Sequence, residues 1–231
     1  MSLWLVIIAM EAEARLLTQR LAPAGPIGGR PAFAGRLGQQ ELLLLLSSLG
    51  QVNAAQAVTA ALEARPEIAG VLNLGCGGAY PDSGLSRGQA MLAREVVLAD
   101  LGVQTQAHLH GLEKVGIPLA RLPQAGEVYN RLTCDPGLSG RLLAAQPELA
   151  RGVFATVGRV SGDEATARAV ATRWGADLEE MESAAVALVA LHYGRPFAAL
   201  RGISNIAGDR ALDLAAGAEA AQRALLALEK V

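Results

Sequence analysis

The chain has only two cysteines, Cys76 and Cys134, far apart and in no CxxC pair. That excludes a disulfide framework and a zinc ribbon, and it suits a reducing, cytoplasmic setting. Aromatic residues make up 3% of the sequence, so Leu, Val and Ala must fill the core. Lysine is almost absent: Lys114 and Lys230 stand among 20 basic residues, the rest being arginine. No surplus of one sign exists either, since 20 basic and 22 acidic residues leave a net charge of −2 with no long run of one kind. A general nucleic-acid binder carries a basic excess, so no nucleic-acid partner is expected. Mean hydropathy is +0.30, yet no apolar run, whether Leu3 to Met10 or the leucine stretch Leu42 to Leu46, approaches the ~20 residues of a spanning helix. The N-terminal MSLWLVIIAMEAEARLL lacks a basic region and meets Glu11 and Glu13 early, which predicts a buried strand rather than a signal peptide, and no membrane partner.

What is present is a chain of 231 residues, 52% apolar and 18% charged, enough for one core and one domain over 1–231. A continuous apolar run predicts a strand buried on both faces at Leu3–Ala9, Ile68–Leu74 reads as the next buried strand, and further strands are predicted at Gln89–Ala99, rich in Val and Leu, Gly152–Val160 and Phe197–Ile203,. Pro31–Gly38 and Glu41–Ser48 read as a hairpin. Helices are predicted over Glu11–Leu21, Gln51–Ala64, Leu138–Ala145, Asp163–Trp174, Met181–His192 and Leu214–Leu228,. Residues 100–136 are the least regular. Alternating strands and helices without a linker predict an α/β fold: a three-layer sandwich with a central mixed, largely parallel sheet flanked by helices.

In such sheets ligands collect beyond the carboxyl ends of strands. Four clusters fall there: Met10 to Glu13, Gly75 to Gly78, Ser161 to Asp163 and Ser204 to Asp209. Glu180-Met181-Glu182 precedes a small-residue helix that can point into the same cleft. Glu11 and Glu13 suit either the positive end of a helix or a general base. Gly75-Cys76-Gly77-Gly78 lets backbone approach a ligand, but no Gly-Lys-Ser/Thr makes it a P-loop and no GxGxxG makes it a dinucleotide fingerprint. Cys76 reads as a small buried residue rather than a nucleophile. Glu182 could accept two hydroxyl hydrogen bonds from a ribose diol. Ser204 and Asn205, polar at the end of a buried strand, read as site or as cap. His108 and His110 form an HxH pair with no third ligand to complete a metal site, and His192 reads as structural. No metal or cofactor is expected.

Taken together in order, Ala9-Met10-Glu11-Ala12-Glu13, Gly75 to Gly78, Ser161-Gly162-Asp163, Glu180-Met181-Glu182 and Arg201-Gly202-Ile203-Ser204-Asn205 resemble the purine nucleoside phosphorylase and nucleosidase superfamily over nearly the whole chain. The resemblance implies a nucleoside phosphorylase-like fold, a small-molecule nucleoside substrate and a homo-oligomer. It implies that Glu13 activates the attacking water in preference to Glu11, that Met181 lies under the ribose, and that Glu182 holds its hydroxyls. By the same resemblance, Cys76, Gly77, Thr166, Glu180, Arg201 and Ser204 complete the substrate site. The family's Arg-x-Ile-Ser-Asp station normally carries the acid that protonates the departing purine; here that position is Asn205. A neutral amide can offer two N–H donors to N7 and O6 of a 6-oxopurine, whereas a 6-amino group there would leave a buried donor unpaired. Asn205 would then act by hydrogen bonding, with Asp209 the alternative proton source. The phosphorylases' Gly-Asp-Pro-x-Arg turn is absent, and Glu13 would repel phosphate, so hydrolysis is expected, with Arg15 as a reservation. The neutral Asn205, Gly75 to Tyr80 and the following Gly-Asp-Arg are similar to the futalosine hydrolase family. That likeness implies release of hypoxanthine from futalosine on a route to menaquinone. The benzoate tail of such a substrate needs a cation, with His108, His110 and Arg87 as candidates, and Ala165 and Thr166 stand where adenine-specific relatives are bulky.

Overall fold

The computed structural model describes residues 2–106, 109–209 and 211–230. In chain order the elements are β1 (Leu3–Ile8), α1 (Arg15–Thr18), β2 (Ala22–Ile27), β3 (Arg30–Leu37), β4 (Gln40–Leu46), α2 (Gln51–Ala64), β5 (Ile68–Ala79) and β6 (Ala90–Leu98). There follow β7 (Val103–Gln104), β8 (Leu109–His110), α3 (Leu112–Val115), β9 (Ala120–Leu122), β10 (Gly126–Val128) and β11 (Arg131–Thr133). The chain closes with α4 (Pro136–Ala145), β12 (Ala150–Thr156), α5 (Glu164–Trp174), β13 (Leu178–Glu180), α6 (Ser183–His192), β14 (Phe197–Ile206) and α7 (Leu214–Leu226).

The main sheet runs β11-β6-β12-β13-β5-β1-β4-β3-β2, and β14 pairs with both β5 and β6. The strands β5, β13, β12, β6 and β14 therefore close on one another. The sheet is mixed: β1 lies parallel to β4 and β5, and β14 parallel to β5, while β13 runs antiparallel to β5 and β14 antiparallel to β6. Helices cover both faces, as the alternating pattern predicts. β1 shows why its residues are apolar throughout: Leu5 and Ile7 join the core with α2 and α6, and Trp4, Val6 and Ile8 join the core with α4 and α7. A strand with a helix on each side has no wet face.

Four local readings change. The helix expected over Glu11–Leu21 is a 3-10 turn at Glu11–Glu13 followed by the short α1. The Glu13 carboxylate folds back onto the Met10 N–H (3.2 Å), and Gln222 of α7 accepts the first free amides of α1, from Leu16 (2.7 Å) and Leu17 (3.2 Å). The stretch Ala22–Ile27, which carries Pro23 and Pro26 just after that expected helix, forms β2. It pairs only with β3, and an edge strand tolerates prolines. β5 continues through Gly75 to Ala79 instead of ending at Leu74. Gly77 is needed there, because a Cβ would stand 2.5 Å from Leu178 Cδ1 and 2.9 Å from the Glu179 carbonyl on β13. Leu178–Glu180, just before the helix expected from Met181, is that strand, and α6 starts at Ser183.

Candidate active site

A cavity of about 570 Å³ opens where β1, β5, β13 and β14 end, and its wall includes Glu13, Cys76, Gly77, Glu179, Glu180, Met181, Glu182, Ser204, Asn205 and Asp209. Four separate strand ends thus deliver polar groups to one place, as the sheet geometry requires of a ligand site.

Glu13 is 5% exposed. Its Oε1 accepts the Cys76 N–H (2.7 Å) and its Oε2 the Met10 N–H (3.2 Å). Two backbone donors fix the carboxylate plane and leave each oxygen a lone pair toward the cavity. Gly75 makes room for it, since a Cβ there would stand 2.9 Å from Oε1. Burial raises the pKa of the Cys76 thiol, and the Glu13 charge raises it further. A thiol held neutral is a poor nucleophile, which agrees with its reading as a small wall residue.

Behind the wall lies a buried charge cluster. Arg201 is 1% exposed, and its Nη2 contacts Glu180 Oε2 (2.5 Å), Asn73 Oδ1 (2.6 Å) and Glu182 Oε2 (3.3 Å). Burial opposes the arginine charge, but Glu180, Glu182 and Glu13 outweigh that and its pKa is raised. The Glu180 carboxylate also accepts from the Glu182 N–H (2.9 Å), the Ser183 N–H (2.8 Å), the Ser183 hydroxyl and the Thr156 hydroxyl. Its Oε2 is filled by protein donors, and the group works as a strut. Arg201 likewise reaches the site only through the carboxylates it holds.

Glu182 differs from Glu180. Its Oε1 accepts the Gly50 N–H (2.9 Å) at the start of α2, and Oε2 takes the long contact to Arg201. Burial pushes its pKa up to about 7, against the opposing pull of Arg201 and with help from the Glu180 charge. The loop that supplies Gly50 is braced by Arg30, which donates to the Ser47 carbonyl, to Asn53 (3.0 Å) and to Gln56 (2.5 Å).

At the other end stands Asn205. Its Oδ1 accepts the Ser204 hydroxyl (2.9 Å), and its Nδ2 donates to the carbonyls of Ile206 (3.0 Å) and Asp209 (3.3 Å). The amide donors expected to face a base are thus engaged within their own loop. The longer contact, to Asp209, is the weaker and the one a ligand can replace. The Asp209 carboxylate is tied to Arg87 (2.9 Å) and to the Ala211 N–H (2.9 Å).

Thr166 is not brought to this cavity. It sits in the first turn of α5, bonded to the cap residue Asp163, and lines a separate cavity with Asp100, Arg159 and Trp174. The tight cap at Asp163 starts the helix at once and turns residues 164–166 away. Ala165 is exposed on the same turn. Glu11, Arg15 and His192 are exposed and, like Arg87 and the half-buried His110, lie outside the cavity wall; His108 lies outside the described residues. Among the described residues no group of three His, Cys, Asp or Glu is placed to hold a metal ion, and no helix is long and apolar enough to cross a membrane.

Sequence reasoning missed Glu179, which is 4% exposed and accepts from the Ser161 hydroxyl (2.6 Å) and the Ser161 N–H (3.0 Å). Burial raises its pKa, and the bonds from Ser161 counter part of the shift. The available signal was a third acidic residue directly before Glu180-Met181-Glu182.

The Phosphorylase superfamily model matches residues 4–231. The chain is 42% identical over 172 residues to futalosine hydrolase of Thermus thermophilus, covering 72% of this chain and 70% of that one. It is 31% identical over 213 residues to 5'-methylthioadenosine/S-adenosylhomocysteine nucleosidase of Anoxybacillus flavithermus, covering 88% and 85%. In fold it matches S-adenosylhomocysteine nucleosidase of Streptococcus pyogenes, with a TM-score of 0.83 at 22% identity over 100% of this chain and 97% of that one. It also matches native futalosine hydrolase of Helicobacter pylori, with a TM-score of 0.81 at 21% identity over 99% and 97%. Enzymes so named hydrolyse N-glycosidic bonds, and this chain belongs with them to the phosphorylase superfamily.

Proposed function

We propose that this chain hydrolyses the N-glycosidic bond of futalosine, releasing hypoxanthine and dehypoxanthine futalosine on a route to menaquinone, and that residues 1–231 work as one domain. The observation that carries the reading is the cavity's division of labour. Two buried carboxylates, Glu13 and Glu182, and a neutral amide, Asn205, line one cavity, and in this reading the carboxylates make the sugar end and the amide the base end. The 42% identity to the Thermus enzyme supports the same substrate.

In this reading Glu13 orients a water beneath C1′ and takes its proton as the bond to the base breaks. The sugar develops oxocarbenium character, and the negative charges of Glu13 and Glu182 favour it electrostatically. Glu182 accepts the two ribose hydroxyls, and Met181 packs beside the ring. Asn205 gives its loosely held N–H to the departing base. Leu49, Leu212 and Leu214 form an apolar rim that fits an aromatic 5′ tail. Among the described residues the cavity wall holds no arginine or lysine. Beside Glu13 and Glu182 an anionic nucleophile would meet two carboxylates, which favours water over phosphate.

The test is base release, followed by chromatography, from futalosine, its 6-amino counterpart, inosine and 5'-methylthioadenosine, each with and without phosphate. Hypoxanthine from futalosine, at a rate indifferent to phosphate, is the expected result. Phosphate-dependent release from inosine would make the chain a phosphorylase, and preferential release of adenine would align it with the methylthioadenosine nucleosidases.

A pH dependence follows from Glu182. Its carboxylate must be ionised to accept both hydroxyls, and its pKa in the folded chain is raised to about 7. The expected kcat/KM falls about tenfold per unit as pH drops below that value, because the protonated form loses an acceptor. A profile that stays flat from about pH 8 to about pH 5.5 would remove Glu182 from the diol.

A further inference from the structure

Glu179 is a buried carboxylate in the cavity wall that the mechanism above leaves unused. Its place follows from strand register. Gly78 on β5 is paired with Glu179 on β13 on one side and with Asn205 on β14 on the other. Residues directly opposite in a sheet project to the same face. Neighbouring strands lie about 4.8 Å apart, so Glu179 and Asn205 straddle Gly78 at roughly 10 Å between their Cα atoms. Gly78 puts no side chain between them, and the Asn205 amide leans over it, 3.3 Å from where a Cβ would stand. Glu180, the next residue, points the opposite way, into the Arg201 cluster.

The two side chains offer complementary chemistry. Asn205 can release one N–H from the Asp209 carbonyl. Glu179 takes the Ser161 hydroxyl and N–H, a set of donors that suits an ionised carboxylate, and a carboxylate has further lone pairs to accept another,. A 6-oxopurine presents O6 or N7 as an acceptor and N1–H as a donor, side by side on one edge. A 6-aminopurine presents a bare N1 lone pair, which a carboxylate repels.

We propose that Glu179 is a specificity-determining residue whose carboxylate accepts the N1–H of a 6-oxopurine and, with Asn205 across Gly78, selects that base over a 6-aminopurine. The proposal rests on the nucleosidase reading above and names the group that chooses its base. It also supplies the discrimination that Asn205 alone does not carry, because the amide's donors are mostly committed to its own loop.

The test compares kcat/KM for futalosine and its 6-amino counterpart in the natural protein and in Glu179→Gln. A glutamine can turn its amide to donate to a bare N1, so the preference for the 6-oxo substrate is expected to fall at least tenfold. A carboxylate needed only to hold Ser161 would lower both activities together and leave the ratio unchanged, and that result overturns the proposal. Should the variant fail to fold, calorimetry on the natural protein decides, with hypoxanthine, 1-methylhypoxanthine and adenine as probes. Hypoxanthine is expected to bind at least tenfold more tightly than either of the others, and equal binding of the 1-methyl compound overturns the proposal. Failure of the functional reading looks different: the natural protein then releases no base from futalosine, while the base-binding comparison still reports on Glu179.

Discussion

Glu13→Gln is expected to lower kcat by about 10²–10⁴-fold, the usual contribution of a positioned general base. The geometry makes this a clean test. The carboxylate is held by the N–H groups of Cys76 and Met10, and the Gln oxygen can keep the shorter of these bonds, to Cys76. Shape and position are thus conserved while basicity is lost. Substrate affinity should change by no more than a few-fold and thermal stability by a few degrees at most. Stopped-assay base release, with melting by circular dichroism as a folding control, would measure it. A variant that keeps more than a tenth of the natural kcat would assign water activation elsewhere.

Arg201→Leu has the largest expected effect on stability. The guanidinium faces Glu180 and Glu182 in a region where all three side chains are buried. Removing one partner of a buried ion pair costs about 3–5 kcal/mol, because the charge left behind has neither water nor a counter-ion. For a chain of this size about 1 kcal/mol shifts the melting temperature by roughly 2–4 °C, so a fall on the order of 10 °C is expected. Part of the loss will appear as protonation. Without Arg201 the Glu182 pKa loses the main influence holding it down, and any remaining activity should require higher pH. Arg201→Leu combined with Glu180→Leu should recover part of the stability, since an apolar pair leaves fewer unpaired charges. A single variant that melts within about 2 °C of the natural chain would show that the cluster does not depend on the arginine.

Much of the site was legible as residue types at strand ends. Glu13 after a buried run, Met181-Glu182 before a small-residue helix, and Ser204-Asn205 after another buried run each stand out locally, because polar residues rarely follow such runs without a purpose. All of these line one cavity. What local pattern could not show was direction. Glu179, Glu180 and Glu182 look alike in sequence, yet one stands beside Gly78, one is consumed by Arg201, Ser183 and Thr156, and one joins Gly50 at the cavity. Thr166 looked equivalent to the other site residues, but the Asp163 cap starts α5 so early that it lies against a different cavity.

The sequence by itself determined the alternation of strands and helices, the two-sided burial of β1, and the order of the stations that carry chemistry, because periodicity and composition are local properties. Only the tertiary structure decided that the glycines of β5 continue a strand, that β2 forms despite its prolines, and that the first helix breaks after Glu13. Each depends on a partner distant in the chain: β13 pressing on Gly77, β3 pairing with an edge, and Gln222 of α7 accepting the amides of α1. The choice of Glu179 rather than Glu180 as the carboxylate beside Gly78 is of the same kind. Neighbouring residues of a strand point to opposite faces, and which of the two lies opposite Gly78 is set by the register of β13 against β5.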